Sequence, residues 1–130
     1  MAKNEGKAPL FTREERVALN RETVAELPGA ERVRVDVLDG LLVDYALAKG
    51  ATTIIRGLRA VSDFEFEFQL ALMNRKLRPE IDTIFLMPKD NYTYLSSRII
   101  KEIASMGGDV TDFVPAGVKR ALREKLGKKV

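Results

Sequence analysis

Apolar positions along the chain switch between a period near 3.6 and a period of two, which predicts helices alternating with strands. Residues 1–11 are polar and marked by Gly and Pro, reading as an entry loop. Thr12-Arg13-Glu14-Glu15 has the capping-box pattern, in which a hydroxyl and a later carboxylate satisfy reciprocal backbone donors. It opens a helix that runs to about Leu27, where Pro28-Gly29 stops it. Val33, Val35 and Val37 alternate with charged residues and predict a strand. Residues 41–49 are apolar at helical spacing and end at Gly50, and a β-branched strand follows at 52–55. Ser62-Asp63-Phe64-Glu65 is a second capping box, opening a helix over 62–77 that is rich in helix formers. A continuously apolar strand at 83–87 ends at Pro88. After a polar loop at 89–93, Ser96-Ser97 starts a helix through Ile99, Ile100, Ile103 and Met106, closed by Gly107-Gly108. A basic helix occupies 115–126.

Strands separated by helices imply right-handed crossovers, so the expected fold is α/β with a parallel sheet and helices on both faces. Three strands make a thin sheet, and the first element is a helix, whereas doubly wound folds open with a strand and a phosphate-binding turn. The front of the fold therefore reads as missing. No internal repeat or low-complexity segment interrupts the 130 residues, which are read as one domain. In the 62–77 helix, Phe64, Phe68 and Leu72 share one face and Phe66, Leu70 and Met73 another. A helix apolar on two faces is expected to contribute to a subunit interface or to line a ligand pocket.

Composition narrows the chemistry. The chain is 45% hydrophobic and 32% charged, as expected for a soluble globular protein rather than a disordered one. It has no cysteine, which removes disulfides and thiolate metal sites and fits a cytoplasmic location. No apolar stretch is long enough to cross a bilayer, and the N-terminus has no signal-peptide core. A net charge of +3 suits a locally bound small anion and does not argue for a nucleic-acid surface. Histidine is absent altogether, which excludes imidazole acid–base catalysis and histidine-ligated metals within these residues.

The most informative run is Ile54-Ile55-Arg56-Gly57-Leu58-Arg59, two guanidiniums in the turn after a buried strand. Guanidinium donates paired hydrogen bonds to phosphate or carboxylate, and open parallel sheets bind ligands beyond the carboxyl ends of their strands. The alternative is a surface turn whose arginines pair with Asp63 and Glu65. Ser96-Ser97-Arg98 sits at a helix start, where exposed N–H groups and the dipole favour anions, although serine there also serves as an ordinary N-cap. Both runs follow strands, which puts both on one sheet edge. Lys7 can neutralise phosphate from the entry loop, or remain a solvated lysine. The basic tail, without interleaved aromatics, reads as dipole-compensating cations rather than a nucleic-acid or membrane surface. Glu65 and Glu67 point apart on a helix, so at most one serves a site.

These segments resemble bacterial phosphopantetheine adenylyltransferases. The resemblance lies in Lys-Ala-Pro-Leu-Phe-Thr-Arg-Glu-Glu at 7–15, the run from Ile55 to Glu67, Met73-Asn74-Arg75, Phe85-Leu86-Met87-Pro88, Ser96-Ser97 with Ile100-Lys101-Glu102, and Gly108-Asp109-Val110. It implies a Rossmann-like nucleotidyltransferase fold and transfer of AMP from ATP to 4′-phosphopantetheine, giving dephospho-coenzyme A and pyrophosphate with Mg²⁺. It also implies a cytoplasmic homo-oligomer, usually a hexamer, in which coenzyme A is a further ligand. By matching motif, Lys7, Leu42 and Arg56 fall at phosphopantetheine positions. Gly57, Leu58, Arg59, Glu67, Tyr92, Thr93, Tyr94, Leu95, Ser96, Ser97 and Arg98 fall at ATP positions. Lys7 and Arg59 are the candidates for stabilising transition-state charge, and no residue of the chain is read as a metal ligand.

The departure from the pattern is the family's opening strand, its Thr-Phe-Asp-Pro turn and its (Thr/His)-x-Gly-His motif, which are not in the sequence. The fold is therefore expected to be N-terminally truncated by about one βαβ unit of 30 or more residues. Activity is expected to be impaired, and uncovered sheet edges to promote aggregation. Arg98 stands where a third serine is common, and Phe66 where tyrosine often stands. Two other readings stay open: a non-catalytic nucleotide- or coenzyme A-binding relative or partner subunit, and nicotinate-type adenylyl transfer.

Overall fold

A computed structural model describes residues 9–59, 61–89 and 92–128. The chain divides into two compact units, one of the residues up to Val37 together with those from Leu95 onward, the other spanning Leu38–Tyr94.

In the first unit, Thr12 caps helix α1 (Arg13–Ala25) with both halves of the predicted box. Its hydroxyl accepts from the Glu15 N–H at 3.1 Å, and Glu15 Oε2 accepts from the Thr12 N–H at 2.7 Å. Ala30–Arg32 forms a single 3₁₀ turn. Helix α5 (Ala116–Leu126) packs against both α4 (Ser97–Ser105) and α1. Their shared core is Ile100, Ala104, Val110 and Leu122, with Leu10, Phe11 and Leu95 against it. Two glycines allow close approach there. A Cβ at Gly108 would lie 2.6 Å from Ile103 Cγ2 and 3.2 Å from the Ile103 carbonyl oxygen. A Cβ at Gly117 on α5 would lie 2.5 Å from Glu22 Oε1 on α1.

The predicted strand at 33–37 does not form; no ladder is made there, and only Leu38 is a bridge residue. A strand needs a partner for its N–H and C=O groups, and here a local bond competes: the Val37 N–H donates to Asp36 Oδ1 at 2.8 Å.

The second unit is a βαβ element preceded by a short helix. Helix α2 (Leu42–Ala48) ends at Gly50, whose φ of 69° suits glycine at C′. Strand β1 (Thr53–Gly57), helix α3 (Val61–Leu77) and strand β2 (Asp82–Leu86) follow. The strands are parallel, with Ile54 opposite Thr83 and Arg56 opposite Phe85. The ladder continues one residue past β1, where the Leu58 N–H donates to the Leu86 carbonyl at 2.9 Å. Gly57 therefore belongs to the strand and not to the turn. The core comprises Val43, Ala46, Ile54 and Ile81, with Leu42 and Ala51 packed on it. The opposite sheet face, Ile55, Ile84 and Leu86, is exposed.

One expectation for α3 changes. It begins at Val61, so Ser62 lies in its first turn and is not the N-cap. The phenylalanine faces, expected at an interface or a pocket, are not covered within this unit. Phe64, Phe66, Phe68, Leu72 and Met73 are exposed, while the covered positions are Asp63, Glu67, Leu70, Ala71 and Asn74. That spacing is one helical stripe, and its two ends are polar. Phe64 and Phe68 stack on each other on the open side, centroids 5.6 Å apart.

The cations of α5 are committed within the first unit. Lys119 donates to Asp109 at 2.8 Å and also to the Thr111 hydroxyl, Arg120 donates to Glu22 at 2.6 Å, and Lys125 to Glu15 at 2.7 Å. The Lys119 bond, aided by the Thr111 hydroxyl and N–H, holds the Asp109 carboxyl well below the usual range. The Lys125 bond and the Thr12 N–H lower Glu15.

Two outcomes follow from this packing. Gly108→Ala must displace Ile103 and should cost about 1–3 kcal/mol in a denaturant melt. Gly117→Ala meets only the mobile end of Glu22 and should cost less. Depressed carboxyl pKa values mean that below about pH 4 the unfolded chain binds more protons than the folded one. Stability is then fully present above that pH and is lost as pH falls further. Thermal midpoints should drop between pH 4 and pH 2, less steeply in Asp109→Asn, and parallel curves for the two proteins would contradict the assignment.

Candidate functional site

Of the predicted site residues in the second unit, Arg56, Gly57, Leu58, Arg59 and Glu67 lie on the end of β1 and the start of α3. Arg56 is held by the ladder opposite Phe85, and its side chain leaves the covered face of the sheet. Its Nε–H donates to Glu67 Oε2 at 2.8 Å and an Nη2 hydrogen to Glu67 Oε1 at 2.5 Å, a two-point fork. The Glu67 side chain is 12% exposed and that of Arg56 34%. The carboxylate raises the Arg56 pKa further, against the opposing effect of partial burial. Arg59 donates from Nε to Asp63 Oδ2 at 3.2 Å.

The surface-turn alternative named Asp63 and Glu65 as partners. Asp63 is one, but the second is Glu67. The signal was present in the spacing: Asp63 and Glu67 are four apart and share a helix face, whereas Glu65 points away and is exposed. The structure thus brings together Arg56 and Glu67, and separately Arg59 and Asp63. Gly57 is exposed, and a Cβ there would meet nothing within 4 Å, so the backbone at the strand end is open to approach. Leu58 is half-buried and held by its bond to Leu86. Leu42 is the first residue of α2 and packs on the core of this unit. Tyr92, Thr93 and Tyr94 form an exposed turn, with the Tyr92 N–H donating to the Lys89 carbonyl at 2.9 Å.

In the first unit, Leu95 packs against the core. Ser96 is the N-cap of α4, its hydroxyl accepting from the Ile99 N–H at 3.2 Å. The capping reading of Ser96 is thus realised. Ser97 and Arg98 occupy the first two positions of α4 and are exposed. Lys7 lies outside the described residues. A groove of about 490 Å³ elsewhere in this unit, lined by Arg21, Val24, Ala30, Val33, Arg34 and Asp36 among others, contains no predicted site residue. Among the described residues no group of three carboxylates is placed to hold a metal ion, and no helix is long and apolar enough to cross a membrane.

A strand-end arginine pair on a parallel βαβ unit is an arrangement for handling phosphorylated ligands. Residues 1–103 match the family model described as Cytidylyltransferase-like, and the chain belongs to that family, with its Rossmann-like nucleotidyltransferase fold. Its relatives are more particular. The chain is 58% identical over 125 residues to the phosphopantetheine adenylyltransferase of Methylococcus capsulatus, a match covering 96% of this chain and 75% of that protein. It is 52% identical over 128 residues to the enzyme of that name from Anaeromyxobacter sp. (strain K), covering 98% and 76%. For that of Alkalilimnicola ehrlichii the figures are 55% over 119 residues, 92% and 67%. Within the nucleotidyltransferases, the chain belongs with the phosphopantetheine adenylyltransferase family.

The geometry separates the two serines. Ser96→Ala removes the cap bond of α4 and should cost about 1 kcal/mol in a thermal or denaturant melt. Ser97→Ala removes no cap bond and should leave stability unchanged. Equal losses in the two variants would mean that the cap is not the one described.

Proposed function

We propose that the chain serves adenylyl transfer from ATP to 4′-phosphopantetheine, with a phosphate oxygen of phosphopantetheine attacking the α-phosphorus and pyrophosphate leaving. The product is dephospho-coenzyme A. The observation that carries this reading is the 58% identity to a phosphopantetheine adenylyltransferase across 96% of the chain. In this reading Lys7, Leu42 and Arg56 take phosphopantetheine, and Gly57, Leu58, Arg59, Glu67 and the run from Tyr92 to Arg98 take ATP. The two compact units act as parts of one nucleotidyltransferase domain.

The chemistry suits the side chains. Nucleotidyl transfer depends mainly on positioning and on donors aimed at developing charge. Glu67 engages two of the five N–H donors of Arg56, and the other three lie outside that fork. Mg²⁺ enters with ATP, carried by the phosphate oxygens. Homo-oligomerisation, hexameric in keeping with the resemblance, is supported by the exposed phenylalanines of α3. A cytoplasmic location completes the reading.

Imidazole chemistry has no source within these 130 residues. The chain on its own should therefore bind both substrates and turn them over slowly. A second reading rests on the same fact: a relative or partner subunit that binds nucleotide or coenzyme A without catalysis. Calorimetric titration with ATP and 4′-phosphopantetheine, alongside a pyrophosphate-release assay, separates the cases. Binding of both with slow dephospho-coenzyme A formation is expected. Tight binding with no product favours the binding module, rapid turnover contradicts the impairment, and absence of binding removes the substrate assignment.

A further inference from the structure

Arg56 and Arg59 are held by different means. Arg56 stands inside β1 and takes its place from the ladder. Arg59 lies past the end of the strand, in the link to α3, and the last ladder bond before it is that of the Leu58 N–H to the Leu86 carbonyl. A long side chain on a link keeps a large rotamer entropy unless something restrains it. One side chain that does so is Asp63, in the first turn of α3, whose Oδ2 accepts from Arg59 Nε at 3.2 Å. Contact at Nε holds the guanidinium at the end nearest its own chain, so the two Nη groups extend beyond the carboxylate. Asp63 is itself well seated, because the positive end of the helix dipole favours a carboxylate in the first turn. As a mere surface pair it would compete with a ligand for Arg59, yet it engages only one edge of the guanidinium, which leaves pairing and ligand binding compatible.

We propose that Asp63 is a positioning residue for the nucleotide, tethering Arg59 through Nε so that the Nη groups are presented to the phosphates of ATP. The role rests on the proposed function, in which Arg59 takes ATP.

A carboxylate beside an anion-binding arginine has two opposed effects, and they differ in sign. As a charge it repels ATP, so its removal would tighten binding. As a tether it spares the ligand the cost of ordering a long side chain, so its removal would weaken binding. The Arg59 and Asp63 side chains are 44% and 34% exposed, and solvent screens the charge effect at such exposure. The ordering effect is not screened. It should set the sign.

Asp63→Ala measures it. ATP affinity, by calorimetric titration of the chain, should fall about two- to twelvefold, the factor for ordering one rotamer-rich side chain. Affinity for 4′-phosphopantetheine, which depends on Arg56, should be unchanged. Asp63→Ser suits a first helical turn but is too short to bridge to Arg59, and it should give the same result even where the alanine variant fails to fold. In an Arg59→Ala background, titrated to millimolar ATP, Asp63→Ala should no longer weaken binding, because the carboxylate acts through the guanidinium. Independently of any ligand, the Arg59 Nε–H resonance, assigned by its disappearance in Arg59→Lys, should be protected from exchange in the parent chain and lose that protection in Asp63→Ala.

Four results would overturn the role. ATP binding that is unchanged or tighter in Asp63→Ala would show that no tether operates. Equal losses for ATP and 4′-phosphopantetheine would reduce Asp63 to a support for the start of α3. An undiminished loss with Arg59 absent would mean that Asp63 acts without the arginine. An unprotected Nε–H in the parent chain would remove the bond itself. A parent chain that does not bind ATP overturns the proposed function and this role with it, whereas the other four leave that function standing.

Discussion

Two parallel strands cannot be joined by a tight turn, and that restriction organises the Leu38–Tyr94 unit. The chain leaving β1 at Gly57 must cross back before β2 begins at Asp82, and α3 makes the crossing. At 17 residues, α3 is about 25 Å long, well beyond what a five-residue strand spans, so it runs the full return path. Its first turns therefore start beside the end of β1. Arg56, Arg59, Asp63 and Glu67 are close in space because the crossover starts there. The strand ladder fixes one half of the cluster and the helix stripe the other.

The charges in that cluster balance. Two arginines face two carboxylates, so anion affinity there depends on which donors remain outside the pairs and where they point, and only weakly on net field. The same economy governs the other unit, where Lys119, Arg120 and Lys125 are engaged by Asp109, Glu22 and Glu15. This explains how a chain with a sequence pI near 9.3 carries a tail helix that is basic in sequence but largely committed in structure. Discrimination between ligands then comes from the placement of individual guanidiniums.

Legibility in the sequence followed how local each determinant was. The Thr12 capping box needs four consecutive residues and is realised as written. Among the described residues, both parallel strands and the five α-helices were legible because periodicity and Gly or Pro stops act over short spans. The failures involve partners or competition. Val33, Val35 and Val37 have strand spacing, but a strand also requires a neighbour, and the Asp36 carboxylate takes a backbone donor locally. The Ser62 box was overridden by a helix that starts one residue earlier. The arginines were found at once, yet Glu67 was missed as the partner of Arg56, because the pair joins positions 11 apart across two element types. The i, i+4 relation of Glu67 to Asp63 was the available clue.

Helix α3 presents the least expected balance of forces. Its covered stripe begins with Asp63 and Glu67 and ends with Asn74, while three phenylalanines stay in solvent. Burying one such side chain contributes about 1.5–3 kcal/mol, whereas a partly exposed ion pair contributes about 0–1 kcal/mol. On those magnitudes two ion pairs do not outweigh three phenylalanines, and a freely rotating helix would turn its aromatic side inward. The short link from Gly57 and the parallel return to Asp82 restrict that rotation, so connectivity helps hold the acidic stripe against the strand end. The aromatic side then remains as exposed apolar surface whose burial would release free energy on association. This is the physical support for reading the protein as a homo-oligomer: the rotation of α3 that sets the arginines also determines which surface is left to be covered.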